Sequence, residues 1–157
     1  MAQIEYSSYY LFPATIFVTR EPYMISTILG SCVSVCMWDS KLKYGGMNHF
    51  MLPFWNGKGL ASPKFGNVAI NKLYERMLEM GCRKETMVAK IFGGGDILQT
   101  TSDQFNIGER NIEIAMESIM ELNIRMAGTS VGGGNGRKII FDTYKGTVVQ
   151  RYIDKSN

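Results

Sequence analysis

Cys32 and His49 are the two side chains whose chemistry stands out in this sequence. His49 is the only histidine of the chain, Cys32 is one of three cysteines, and both lie in the stretch STILGSCVSVCMWDSKLKYGGMNHFMLP at residues 26–53. A thiol beside an imidazole can lose its proton near neutral pH and become a strong nucleophile. The same residue types can also hold zinc, with Cys32, Cys36, His49 and Cys82 as a conceivable Cys3His set. Structural roles are open too, since a free cysteine is often a small buried apolar residue.

The elements around these residues separate the readings. Ser31–Trp38 alternates small or polar with apolar residues, and Met47–Leu52 is mostly apolar. The link 39–46 carries charge and ends in Gly45-Gly46. That pattern predicts an antiparallel hairpin with a loop longer than two residues. Gly30 supplies a sharp turn into Ser31-Cys32. A hairpin folds Cys32 back towards His49, at cross-strand spacings of ~4.5–8 Å between Cβ atoms. On a strand, Cys32 and Cys36 are ~13 Å apart, too far for two ligands of one zinc, which lie within ~4 Å of each other. Nucleophile and buried cysteine remain the two readings of Cys32, while Cys36 and Cys82 read as core.

The rest of the chain predicts a layered α/β domain. Strands are expected over Tyr10–Thr19 (bent at Pro13), Met24–Leu29, Thr86–Phe92, Ile124–Val131, Lys138–Asp142 and Thr147–Ile153. Two helices follow the 3.6-residue period. Asn67–Met80 has a stripe of Ile70, Leu73, Tyr74, Met77 and Leu78, with Gly81 at C′. Ile107–Leu122 has a stripe of Ile112, Ala115, Met116, Ile119 and Met120. Helices falling between groups of strands imply helices packed on sheets. With no linker or repeat, residues 1–157 are expected to form one domain.

Composition excludes several classes. Seventeen basic against 14 acidic residues give a net charge of only +3, without a basic run, which argues against nucleic acid. No apolar run reaches the ~18–20 residues of a membrane span, and the N-terminus lacks a signal-peptide pattern. Three cysteines are too few for a disulfide scaffold, so a cytoplasmic location is expected. The loop FWNGKGLASPKFG at 54–66 either caps the core edge through Phe54 and Trp55 or covers the site. The glycine runs 93–95 and 132–136 lack the spacing of phosphate-binding motifs and read as tight turns or close backbone approaches.

The runs TILGSCVSVCMWD and GGMNHFMLP, followed in order by AKIFGGG at 89–95, IGERN at 107–111 and VGGGNGRKIIFDT with KGTV at 145–148, resemble the signature of the CheD chemoreceptor glutamine deamidases. The resemblance spans residues of about 10 to about 150. It implies a single-domain α/β sandwich of mostly antiparallel strands with two main helices, similar to deamidase toxin catalytic domains. It implies hydrolysis of receptor glutamine side chains to glutamate and ammonia, without metal or cofactor. Cys32 would be the nucleophile and His49 the base, with oxyanion donors from the Gly30-Ser31-Cys32 turn. The family's third position, a hydroxyl six residues before the cysteine, falls on Ser26, with Thr27 as the fallback if a bulge shifts the register. Chemotaxis receptors and a CheC-type phosphatase are the implied partners. The competing expectation is a non-catalytic adaptor that keeps only the docking surfaces.

Overall fold

The computed structural model describes residues 3–97 and 106–154. In chain order the elements are β1 (Ser7–Tyr10), β2 (Ile16–Thr19), β3 (Tyr23–Leu29), β4 (Val33–Asp39), β5 (Tyr44–Asn48), α1 (Gly66–Glu79), β6 (Met87–Gly93), α2 (Ile107–Leu122), β7 (Arg125–Val131), β8 (Arg137–Asp142) and β9 (Val148–Tyr152). They form two sheets: a small one of order β1-β3-β8-β9 and a large one of order β2-β5-β4-β6-β7. Only β1–β3 and β6–β7 pair in parallel, and every other neighbour is antiparallel. The mixed, mostly antiparallel α/β architecture with two helices is the one the sequence predicts.

The strand pattern of β4 shows how the layers are built. Val33, Val35 and Met37 point to one side, into a core with Ile70, Leu73 and Met77 of α1 and Ala115 and Ile119 of α2. Cys36 points to the other side, into a second core with Ile25 and Leu29 of β3 and Ile139 and Phe141 of β8. The large sheet is therefore the middle layer, buried on both faces. This explains why β4 is almost continuously buried and lacks the polar-out alternation of a half-exposed strand.

Three sequence expectations change. The single strand expected over Tyr10–Thr19 is two strands in different sheets, because Pro13 and Ala14 (φ 65°) turn the chain from β1 to β2. Gly45 and Gly46 belong to β5 and leave a four-residue hairpin loop, Ser40–Lys43. They are required there by close packing. A Cβ at Gly46 would sit 2.6 Å from Val18 Cγ1 and 2.9 Å from Leu73 Cδ1, and one at Gly45 would sit 2.9 Å from Thr143 Cβ. The expected stripe of α2 holds for Ile112, Ala115, Met116 and Ile119, which lie in or against the helix-side core, but not for Met120. Met120 is 76% exposed, and the buried face is Gly108, Asn111, Ala115, Ser118 and Ile119. No helix among the described residues is long and apolar enough to cross a membrane.

The packing at Gly46 gives a direct check of this layering. Gly46→Ala should lower stability by ~1–3 kcal/mol through overpacking between β2 and α1. Urea unfolding of the variant at neutral pH measures it, and an unchanged midpoint would contradict the tight approach.

Candidate active site

His49 lies where the β4–β5 ladder is interrupted. β5 ends at Asn48, whose side-chain Oδ1 accepts a hydrogen bond from the Val35 N–H at 2.8 Å. Pairing resumes one residue past His49. There Val33 and Phe50 exchange backbone hydrogen bonds of 3.1 and 2.9 Å. The Cys36–Met47 and Val33–Phe50 pairs share one register. That register sets Ser34 opposite His49 and makes Cys32 its diagonal neighbour on the same sheet face, at about 7–8 Å between Cα atoms for such positions. The hairpin thus brings the two predicted residues into one neighbourhood, at the layer between the two sheets.

The hydroxyl beside the imidazole comes from β3. Thr27 Oγ1 lies 2.7 Å from His49 Nδ1, and both side chains are buried. β3 pairs with β8 in unbroken register from Met24 to Leu29, so side chains alternate strictly. Thr27 points inward with Ile25 and Leu29, whereas Ser26 points to the outer face of the small sheet, in register with Ile140. The contact that counting back from the cysteine gives to Ser26 is made by Thr27, with no bulge. The inward face of β3 is fixed by the stacking of the sheets, which an offset along the chain does not contain.

Thr27 also fixes the direction of the hydrogen bond. Its hydroxyl donates to the Leu11 carbonyl at 2.8 Å. A hydroxyl has one hydrogen, and a carbonyl can only accept. Thr27 Oγ1 is therefore the acceptor towards His49, which must carry its proton on Nδ1. The lone pair of the neutral ring is then on Nε2. This is the tautomer a general base needs, oriented by the bond at the other ring nitrogen.

Burial sets the resting charge. Desolvation raises the Cys32 thiol above its ordinary value and lowers His49 to about 4. Both shifts disfavour a thiolate–imidazolium pair. Burial thus works against the expectation that Cys32 ionises near neutral pH and favours a neutral thiol beside a neutral imidazole.

The segment carrying Cys32 is held by its backbone. The Gly30, Ser31 and Cys32 carbonyls accept, respectively, from Gly95 N–H (3.0 Å), Asn111 Nδ2 (3.0 Å) and Gly94 N–H (2.8 Å). Gly93 (φ 106°) must be glycine for this approach, since a Cβ there would lie 2.2 Å from the Cys32 oxygen. Next to it, the buried Arg137 donates to the Ser130 carbonyl at 2.7 Å and to the Gly132 carbonyl, fixing the start of the second glycine run. Gly132 N–H in turn bonds the Gly93 carbonyl at 2.9 Å. Asn111 and Arg137 were not among the site residues expected from sequence. A signal for Asn111 exists, a polar residue four positions before the core Ala115.

The other candidates fall elsewhere. Cys36 is buried between the sheets, and burial pushes its thiol far up. Cys82 packs in the helix-side core, on the other face of the large sheet. Among the described residues no group of three or more His, Cys, Asp or Glu side chains is arranged to hold a metal. Phe54 is 62% exposed and so does not cap the core. Trp55 is tied within its loop by its Nε1–H bond to the Lys58 carbonyl at 2.9 Å.

Fold and site together define a mixed α/β protein with a thiol, an imidazole and a hydroxyl gathered where two sheets meet. Comparison with known proteins gives this class a family. The family described as CheD chemotactic sensory transduction matches residues 51–152. A probable chemoreceptor glutamine deamidase CheD of Trichlorobacter lovleyi is 52% identical over 90% of this chain and 88% of its own length. One of Sulfurimonas denitrificans with the same name is 43% identical over 98% and 99%. The chain belongs to the CheD family. Among solved structures, the Bacillus licheniformis hypothetical protein YfiH is similar with a TM-score of 0.48 and 15% identity, covering 73% of this chain and 49% of that one.

The buried neutral histidine has a consequence for stability. Between about pH 6.5 and 4 the unfolded chain binds a proton at His49 that the folded protein refuses, so stability is full above this window and falls on acidification through it. The contribution is up to roughly 3 kcal/mol. Urea unfolding at pH 7.5 and pH 4.5 should show a larger acid loss in the wild type than in His49→Gln. Equal losses in the two proteins would contradict a buried neutral imidazole.

Proposed function

We propose that this chain is a chemoreceptor glutamine deamidase working through Cys32, His49 and Thr27. Family membership supports the substrate class, because the relatives are named for it. The observation that carries the mechanism is the Leu11–Thr27–His49 chain of hydrogen bonds, which leaves Nε2 as a proton acceptor.

Cys32 Sγ attacks the carbonyl carbon of the glutamine side-chain amide. Its proton passes to His49 Nε2 as the S–C bond forms, so that negative charge moves to the amide oxygen without a resting thiolate. Backbone N–H groups of the Gly30-Ser31-Cys32 turn stabilise that oxygen. Collapse of the tetrahedral intermediate breaks the C–N bond, and the imidazolium returns its proton to the departing ammonia. Water, deprotonated by His49, then cleaves the thioester, giving glutamate and the free thiol. No metal or cofactor enters these steps. The proposed setting is the cytoplasm, with the receptors' cytoplasmic regions as substrates and a CheC-type phosphatase as a binding partner.

Co-expression with a receptor, followed by mass spectrometry, tests this through the gain of ~1 Da per glutamine converted to glutamate. Cys32→Ala should abolish the gain, while Cys36→Ala and Cys82→Ala should keep it. Thr27→Val should lower kcat by about 100-fold with KM little changed, because the imidazole loses its orientation. Ser26→Ala, on the outer face, should stay within about twofold of wild type on the same reasoning. Full activity in Cys32→Ala would refute the nucleophile. Full activity in Thr27→Val would remove the hydroxyl from the mechanism.

A further inference from the structure

Asn111 lies in the IGERN stretch, which the mechanism above does not use. It is completely buried on α2, at a position where the neighbouring turns contribute Gly108 and Ala115. Its Nδ2 donates to two carbonyls at once, Ser31 at 3.0 Å and Met51 at 3.1 Å. Ser31 immediately precedes Cys32, and Met51 follows His49 by two residues. In the register shared by Cys36–Met47 and Val33–Phe50, Met51 is also the residue that faces Cys32. The two hydrogens of one amide thus join the two chain segments at the open end of the hairpin, beyond its last backbone pair.

The helix is brought close enough for this by Gly108. A Cβ there would lie 2.5 Å from the Gly94 carbonyl oxygen and 2.6 Å from that of Gly95. Those same two glycines bond the Cys32 and Gly30 carbonyls. Asn111 Oδ1, equally buried, has no hydrogen-bond partner among the described residues. An orphaned buried acceptor is unfavourable, so stability alone does not account for an asparagine here. Its amide is suited to the site for a chemical reason. Two neighbouring carbonyls need a two-hydrogen donor, which a carboxylate, a hydroxyl or an apolar side chain cannot supply.

We propose that Asn111 is a positioning residue that ties the Cys32 segment to the segment following His49, keeping thiol and imidazole together. It touches neither and acts through the backbone. The proposal rests on the deamidase reading for its kinetic consequence, while its structural consequence is independent of that reading.

The test uses the full chain as Asn111→Ala, with Ile119→Val as a control that loosens the same helix remote from the site. Two quantities are measured at neutral pH: steady-state ammonia release from a receptor fragment, and alkylation of Cys32 by iodoacetamide followed by peptide mass mapping. Loss of the tie should lower kcat by about 10–100-fold with KM within about twofold. It should also raise Cys32 alkylation several-fold, because the freed segment exposes a thiol whose burial now suppresses ionisation. Ile119→Val should lower Tm and change neither quantity. If Asn111→Ala does not fold, Asn111→Ser, which keeps one donor, should show both effects in smaller measure. A folded variant with wild-type kcat and wild-type alkylation overturns the proposal, as does one whose changes match those of Ile119→Val. Faster alkylation in the variant, with no ammonia release even from wild type, would uphold the tie and refute the deamidase reading.

Discussion

One buried hydrogen bond, Thr27 Oγ1 to His49 Nδ1, joins the two sheets at the candidate site. Thr27 belongs to the small sheet and His49 follows the last residue of β5 in the large one, so the bond exists only if the layers stack in one register. Much of the structure sets that register. Ile25 and Leu29 flank Thr27 in the inter-sheet core, and Cys36 and Met47 meet them from the other sheet. The Pro13-Ala14 turn, which passes the chain from β1 to β2, places the Leu11 carbonyl under Thr27 and the Ala14 N–H on the His49 carbonyl at 2.8 Å. The imidazole is thereby held at its ring and at its backbone. A buried polar group costs stability unless it is bonded, and at His49 that cost is offset at the ring and at the backbone carbonyl.

The motifs scattered along the sequence converge on the other half of the site. The first glycine run bonds the backbone of 30–32 directly, and the IGERN helix docks on that run through Gly108. The second run bonds back to Gly93 and is pinned by Arg137. Glycine recurs because backbone meets backbone here, and a side chain at Gly93 or Gly108 would occupy the space of a carbonyl oxygen. None of these residues has chemistry of its own. They hold the half-buried cysteine turn by its backbone in the neighbourhood of the base.

The layers and most of the elements were legible in the sequence because they rest on local pattern. The alternation of residues 31–38, the 3.6-residue stripes and the Gly30 turn are properties of neighbours along the chain, and the cysteine–histidine hairpin follows from them. What was not legible depends on distant partners. Gly45 and Gly46 look like loop residues until Val18, Leu73 and Thr143 are seen packed against them. Strand alternation says that only one of Ser26 and Thr27 can reach the histidine, but which one depends on the face of β3 that meets the other sheet. Asn111 resembles a surface polar residue until α2 is seen packed against the 30–32 turn and Met51. Its spacing to Gly108 and Ala115 was the available sign. The burial that disfavours a charged thiol and imidazole was hidden for the same reason, since burial is a property of the assembled layers.

The most direct measurement is the protonation of His49 by nitrogen-15 NMR. Because the chain has one histidine, protein labelled at the histidine ring gives the signals of this residue alone. At pH 7 the account predicts a neutral ring with a protonated, pyrrole-type Nδ1 and an unprotonated, pyridine-type Nε2, and titration only near pH 4. An Nε2–H tautomer, or an imidazolium at pH 7, would contradict it. Either would mean that Thr27 does not set the base and that the site rests as an ion pair or in another orientation.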